Sequence, residues 1–309
     1  MAKRRLAVDF AVYVAVRFFA AVIQALPLQA GYAIARRLGR LIAFIDRRHR
    51  KVAEENLRHA FGASLTAAQR ARMTLAVYEH FCKVLIEILH LPRRFRTATM
   101  KQFIHYANMR EGLRSTLRGE RASMIVAGHL GNWEVSGVML AAADLRAFTI
   151  ARKLDNPFLN RFILDFRQYT GQTILSKNGD YDQICNALAE KQLLVTVADQ
   201  SAGPRGYFVD FFGRPASTQR AVALLAMEYD AKVIVTYSRR LGSGFRYEVG
   251  AEAIFDPRDY QGDPNGARRL TADFTAALER AIRRSPEQYF WLHNRWKHVP
   301  PPQKQKAAA

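Results

Sequence analysis

The chain has 309 residues, of which 49% are hydrophobic and two are cysteines. This length and composition can bury a globular core, and two cysteines exclude a disulfide-rich scaffold. An excess of Lys and Arg gives a net charge of +20, which predicts attraction to a nucleic acid, an anionic membrane or an acidic protein. The sequence carries no nucleic-acid-binding signature, so nucleic acid is a rival on composition alone and we expect no such partner.

The N-terminal part begins with a largely apolar run at residues 6–28, after a basic triplet at residues 3–5. As a helix this run would be about 35 Å long, enough to cross the hydrocarbon core of a membrane. Its polar residues recur on one helical face: Asp9, Tyr13, Arg17 and Gln24. A one-sided helix can span a membrane, lie in its interface or pack on protein. Asp9 and Arg17 interrupt the run and argue against a cleaved signal peptide.

The first hundred residues are predicted to be helical, with helices after the apolar run over 31–45, 48–60 and 66–90, the last helix running from a Thr66 cap towards a stop at Pro92. Three basic clusters punctuate these helices: Arg36–Arg37, Arg47–Lys51 and Arg93–Arg96. Such clusters are either solvated helix ends or a face that lies on anionic lipid.

From residue 123 onward, short β-rich runs alternate with helical stretches. We predict strands at 123–128, 147–152, 172–176, 193–199, 232–238 and 246–254. This alternation predicts an α/β fold with a mostly parallel mixed sheet flanked by helices, whose last runs form an antiparallel edge. The expected organisation is an anchor helix (1–28), a membrane-apposed helical region (29–100), an α/β domain (101–299) and a disordered tail (300–309).

Residues 127–134, AGHLGNWE, join a predicted strand to a predicted helix. Ligands bind at such junctions in α/β proteins, because main-chain donors and the helix dipole converge there. His129 can accept a proton from an alcohol near neutral pH, and a carboxylate such as Glu134 can stabilise the imidazolium that forms. The spacing alone also fits a hydrogen-bonded loop histidine followed by a carboxylate in the first helical turn.

The same segment resembles the H-x4-D/E motif of the lysophospholipid acyltransferase superfamily. GHLGNWE is similar in particular to the form found in the lipid A biosynthesis acyltransferases, the lauroyl and myristoyl transferases. Further blocks with the family's order are RRHRKVAEENLRHAFG, ARKLDNPFLN, DQSAGPRGYFVDFFGRPAST and YFWLHNRWK, which together with the helix before them cover residues about 30–297.

The resemblance implies that His129 is the general base for an acceptor hydroxyl and that Glu134 is its charge partner. It implies that Arg152 and Asn156, in the second block, contact the substrate, with Arg152 facing an anionic group or the developing negative charge.

In the third block, the resemblance implies that Asp199 and Gln200 position the catalytic pair or the acceptor, and that Gly213 and Thr218 shape the binding pocket. This chain has Ser201-Ala202-Gly203 where the family usually carries an aromatic residue and glycine after Asp-Gln. The departure leaves the acceptor lipid open.

The implied reaction moves a fatty acyl chain from a thioester to a hydroxyl of a lipid A precursor or a related glycolipid, at the cytoplasmic face of the inner membrane. The expected donor is acyl carrier protein, an acidic partner, with coenzyme A as the alternative. We expect no metal and no redox cofactor, and no Gly-x-Ser-x-Gly nucleophile is present. The rivals are a lipid hydrolase that uses the same residues, an acyltransferase for another lipid acceptor and a non-catalytic basic protein.

Overall fold

A computed structural model describes residues 6–94, 99, 102–117, 119–143, 145–169, 171–176 and 179–300. Its N-terminal part consists of four helices: α1 (Leu6–Ala25), α2 (Leu28–Ile45), α3 (Arg47–Phe61) and α4 (Ala67–Arg94). The predicted cap of α4 is confirmed, because Thr66 Oγ1 accepts from Gln69 N at 3.2 Å and Thr66 N donates to Gln69 Oε1 at 2.8 Å. The predicted stop at Pro92 is wrong, since α4 continues to Arg94. A proline so close to the end of a helix removes a single backbone hydrogen bond.

The rest of the described chain alternates strands and helices as far as β5. The elements are β1 (Ile104–Ala107), α5 (Arg110–Leu117), β2 (Ser123–Ala127), α6 (Trp133–Ala142), β3 (Ala147–Ala151), α7 (Pro157–Tyr169), β4 (Gln172–Ser176), α8 (Tyr181–Ala189), β5 (Leu193–Val197), β6 (Tyr207–Phe211), β7 (Arg214–Thr218), α9 (Ala221–Glu228), β8 (Lys232–Arg240), β9 (Tyr247–Phe255) and α10 (Gly266–Arg283).

Seven of these strands form one mixed sheet in the order β1-β9-β8-β2-β5-β3-β4. Neighbouring strands are parallel except β8 and β9, which are antiparallel. The predicted α/β fold and mostly parallel sheet are therefore confirmed. Strand β9 is antiparallel as predicted but does not form the edge, because β1 pairs with its outer side.

Helices cover both faces of the sheet. Alternate side chains of a strand point to opposite faces, so Met124 and Val126 pack with α8, α9 and α10, whereas Ile125 packs with Leu140 of α6. Each face thus has its own apolar core.

Helix α1 turns its polar side chains towards the protein and its apolar ones outward. Gln24 donates to Leu89 O of α4 at 2.8 Å, and the Arg17 guanidinium lies 5.0 Å from the Phe162 ring centroid of α7. By length and composition, α1 can cross a membrane, with a mean hydropathy of 2.1. Helix α2 exposes a second apolar stripe along one side: Ile34, Leu38, Leu41, Phe44 and Ile45.

Parts of three predictions lie outside the described residues. They are the basic triplet at 3–5, Arg96 of the third basic cluster and residues 301–309 of the tail.

Candidate active site

The loop between β2 and α6 carries His129 to the carboxyl edge of the sheet, where β5 also ends. Asp199 lies two residues beyond β5, and its Oδ1 is 2.7 Å from His129 Nδ1. Its other oxygen accepts a hydrogen bond from His129 N at 3.0 Å. The Asp199 side chain is 2% exposed and that of His129 is 23% exposed. The carboxylate is thus sealed inside, while the imidazole remains accessible.

This pairing fixes which nitrogen of His129 can act on a substrate. A carboxylate only accepts hydrogen bonds, so Nδ1 carries a proton and Nε2 of the neutral ring keeps its lone pair. Nε2 has no hydrogen-bond partner among the described residues. His129 therefore has the arrangement of a general base whose orientation is set by a buried carboxylate.

The charges around His129 change its pKa in the direction that favours protonation. Burial alone would lower the pKa of His129, but the Asp199 carboxylate, and to a smaller extent Glu134, raises it above its ordinary value. Burial would likewise raise the pKa of Asp199, but His129 and the His129 N–H group hold it below its ordinary value. The pair therefore stabilises an imidazolium beside an ionised carboxylate.

Glu134 makes a different contact from the one predicted. Its carboxylate accepts from Arg167 Nη2 of α7 at 2.6 Å and from Trp133 Nε1 at 3.2 Å, whereas His129 Nδ1 donates to Asp199. Glu134 still acts on His129 through its charge. The site thus contains two charge pairs, His129 with Asp199 and Glu134 with Arg167.

A largely apolar cavity of about 860 Å³ opens beside these two pairs. His129, Glu134 and Arg167 line it together with side chains from both faces of the sheet. On the α6–α7 face the lining includes Ile125, Met139, Leu140, Ala143, Ile163 and Leu164. On the opposite face it includes Met124, Ile184, Val222 and Leu225. Apolar walls around a few polar groups are typical of a site for a ligand with a long hydrocarbon part.

The other predicted site residues divide into two groups. Arg152 and Gln200 line the cavity, and the Arg152 side chain is 84% exposed at its mouth. Asn156 lies outside the cavity lining, where its side chain accepts from Phe158 N at 3.0 Å and donates to Asp9 O of α1 at 2.9 Å. Its observed contacts therefore join α7 to α1.

Gly213 and Thr218 belong to the β6–β7 hairpin and also lie outside the cavity lining. Gly213 occupies the turn with a φ of +73°, a conformation that glycine adopts without strain. Thr218 Oγ1 accepts from the buried Arg295 Nη2 at 2.6 Å. The structure thus gives both residues roles in the hairpin and its anchoring.

Sequence reasoning missed Arg167, one basic residue among many, and the contacts that the C-terminal block makes near Asp199. Ser201, which lines the cavity, donates from its backbone N to His293 Nε2 at 3.1 Å. Asn56 of the first block donates to His293 O at 2.8 Å. These contacts join residues far apart in the sequence, and no local sequence pattern predicts them.

These features define a class of α/β protein with a carboxylate-held histidine at the carboxyl edge of the sheet, above a largely apolar cavity. A family model described as bacterial lipid A biosynthesis acyltransferase matches residues 1–298. The chain belongs to this family.

Individual relatives are distant in sequence. The chain is 23% identical over 199 residues to a phosphatidylinositol mannoside acyltransferase of Mycobacterium tuberculosis (strain CDC 1551 / Oshkosh), covering 63% of each chain. It is 24% identical over 280 residues to the lipid A biosynthesis lauroyltransferase of Escherichia coli (strain K12), covering 89% of this chain and 88% of the relative. It is 26% identical over 197 residues to the lipid A biosynthesis palmitoleoyltransferase of the same strain, covering 62% of this chain and 61% of the relative. The chain therefore spans less than two thirds of the mycobacterial and palmitoleoyltransferase relatives.

Proposed function

We propose that this protein is a membrane-associated O-acyltransferase that moves a fatty acyl chain from a thioester to a hydroxyl of a lipid A precursor or a related glycolipid. The observation that carries the proposal is the position of His129, which Asp199 holds through Nδ1 while Nε2 is left free beside an apolar cavity. Membership of the acyltransferase family supports the reaction class.

The chemistry needs one proton relay. Nε2 of neutral His129 takes the proton of the acceptor hydroxyl as its oxygen attacks the thioester carbonyl. The tetrahedral intermediate then collapses, the C–S bond breaks, and the imidazolium returns the proton to the departing sulfur. Asp199 stays ionised throughout and stabilises the imidazolium. The products are the acylated lipid and the free thiol of the donor.

The charged groups at the mouth of the cavity fit anionic reactants. Arg167 lines the cavity while its guanidinium binds Glu134, and Arg152 and Lys153 lie exposed at the rim. An acidic carrier protein is attracted by such a rim and by a net charge of +20. We therefore assign acyl carrier protein as the donor, with coenzyme A as the alternative that the experiment must separate.

The outward apolar faces of α1 and α2 support association with a membrane. Alkyl side chains exposed along two adjoining helices lose contact with water when they enter lipid, and the Arg-rich α2 and α3 attract anionic head groups. We place the site at the cytoplasmic face of the inner membrane, because a cytoplasmic thioester donor reaches it there.

A second acceptor class has its own support. Relatives at comparable identity include a phosphatidylinositol mannoside acyltransferase. Ser201, the first residue of the departure at Ser201-Ala202-Gly203, lines the cavity beside Gln200, and we assign this part of the site to the acceptor. A mannosylated phospholipid is therefore the second candidate acceptor.

The test is acyl transfer by membranes that carry wild-type protein or His129→Ala. Labelled acyl carrier protein and acyl-coenzyme A serve as alternative donors, and a tetra-acylated lipid A precursor and a phosphatidylinositol mannoside serve as alternative acceptors. We expect transfer from acyl carrier protein to the lipid A precursor and its loss in the variant. Transfer retained in His129→Ala would refute the mechanism, and release of free fatty acid without an acylated product would identify a hydrolase.

A further inference from the structure

Helix α4 contacts the loop that carries His129 through two buried side chains seven residues apart. His80 Nε2 lies 3.1 Å from Gly131 O, and the Glu87 carboxylate accepts from Asn132 Nδ2 at 3.0 Å. The helical repeat places His80 and Glu87 on the same face of α4. One helix of the N-terminal part therefore binds two consecutive residues of the loop.

In the His80 contact, a neutral imidazole donates from Nε2 to the carbonyl. Burial, together with the Arg240 charge, lowers the pKa of His80 to about 3, so the ring is neutral at any working pH. A carbonyl oxygen only accepts, so Nε2 carries the ring's single proton. Gly131 is fixed from its other side as well, because its N donates to Gln288 O at 2.9 Å.

The Glu87 contact extends to the start of α6. Asn132 is fully buried, and its Oδ1 accepts from Val135 N at 3.3 Å in the first turn of that helix. Glu87 itself is fixed by an ion pair with Arg240 and by the hydroxyls of Tyr32 and Tyr247. A buried ion pair adds little to stability by itself, and its best-attested use is to select one arrangement of the chain.

We propose that His80 and Glu87 are positioning residues for the acyl transfer proposed above, holding the 128–132 loop so that His129 stays bound to Asp199 and faces the cavity. This inference rests on the proposed function for its kinetic test. It makes the N-terminal helical part a functional part of the site, in addition to the contact with lipid proposed for it above. When the contacts of His80 and Glu87 with the loop are lost, His129 samples positions away from Asp199 and the chemical step slows.

The chain offers a matched control on the same helix. His90 is also buried in α4 and also contacts backbone carbonyls, with Nδ1 2.8 Å from Ile86 O and Nε2 3.3 Å from Leu26 O. Neither carbonyl belongs to the His129 loop. His80→Leu and His90→Leu therefore remove the same kind of group, but only the first loosens the loop.

The experiment measures kcat, KM and the melting temperature of the full chain in detergent for His80→Leu, His80→Gln and His90→Leu. We expect His80→Leu to lower kcat roughly ten- to a hundredfold at unchanged KM, because displacements of about 1 Å have effects of this size. His80→Gln restores an N–H donor and should recover most of kcat. His90→Leu should lower the melting temperature by a similar amount and leave kcat within about twofold. If His80 contributed only to stability, the two leucine variants would instead have the same kcat.

A second readout needs no substrate. The pKa of the His129 imidazole, measured by NMR with labelled histidine, should fall in His80→Leu. The reason is that His129 moves away from the Asp199 carboxylate, whose charge raises this pKa, while Glu134 and His293 remain near. If His80→Leu does not fold, Asn132→Ala tests the same link from the loop side. An unchanged kcat and an unchanged His129 pKa would overturn the inference. Wild-type protein without transfer activity would overturn the proposed function instead, and the NMR titration would still decide the positioning role.

Discussion

Asp199 and Glu87 are both buried carboxylates, and each accepts several hydrogen bonds, but only Asp199 binds directly to a side chain that lines the cavity. Asp199 binds His129, whose ring is partly exposed and lines the cavity. Glu87 binds Arg240, Tyr32, Tyr247 and Asn132, which are all buried. Burial and a charged partner therefore do not by themselves identify a catalytic carboxylate. Access of its partner to a ligand distinguishes the two.

The sharpest test of this comparison is Asp199→Asn. We expect the transfer rate to fall by about 10³-fold, since an amide can stabilise the wrong tautomer of His129 and cannot balance the imidazolium. His129 accepts a proton only when neutral, so the rate rises with pH through its pKa. Loss of the Asp199 charge lowers that pKa, so the rising limb of the pH–rate profile should move to lower pH. A rising limb at the same pH in Asp199→Asn and wild type would contradict the pairing of His129 with Asp199.

Glu87, the carboxylate whose partners are all buried, should instead affect stability most. Glu87→Met leaves the buried Arg240 guanidinium without its ion-pair partner, which costs about 3–5 kcal/mol in the free energy of unfolding. The double variant Glu87→Met/Arg240→Met removes both charges and should be more stable than Glu87→Met alone. Urea unfolding of both proteins measures the difference. A double variant less stable than the single one would show that the ion pair is not the source of the effect.

The third expected effect concerns Glu134, the carboxylate that the motif predicts as the partner of His129. Glu134 binds Arg167 and acts on His129 only through its charge, so Glu134→Gln should lower the transfer rate roughly tenfold. It should also shift the rising limb of the pH–rate profile less than Asp199→Asn does. Parallel pH–rate profiles of the two variants provide the measurement. A larger shift in Glu134→Gln would restore the assignment made from the motif.

The sequence predicts the strands that carry apolar or alternating runs well and the other strands poorly. The six strands that were predicted from such runs are all present, because their hydrophobic residues and their spacing predict buried strands. The β6–β7 hairpin was missed, since Pro215 within β7 is unusual for a strand and the turn places Phe212 at a φ of +56°. Strand β1 is only four residues long and offers too short a pattern.

The site was predicted in part for the same reason. His129 and Glu134 lie in one local motif, and Asp199 follows a recognisable strand, so their presence near the carboxyl edge could be expected. Which carboxylate binds His129 depends on a contact across 70 residues, and that is set by the order of β2 and β5 in the sheet. One sequence does not contain that order. Arg167 was missed because a basic residue on a helix has no distinguishing local signal.

The smallest expected effect concerns the part of the cavity that is lined by α6 and β4. Gln172 begins β4, four residues before the carboxyl end of that strand, and it lines the cavity opposite Gly137 of α6. A Cβ added at Gly137 would lie 2.2 Å from Gln172 Nε2, so Gly137→Ala should displace the amide into the cavity. Gln172→Ala should enlarge the same space.

If an acyl chain occupies this arm of the cavity, the two substitutions change chain-length preference in opposite directions. We expect Gly137→Ala to favour shorter donors and Gln172→Ala longer ones, by roughly tenfold in kcat/KM between chains that differ by two methylenes. Competition among acyl carrier protein thioesters of graded length measures the preference. Ala221, which lines the cavity on the opposite face of the sheet, provides a control through Ala221→Val. A length shift in that control alone would place the acyl chain on the α8–α9 face.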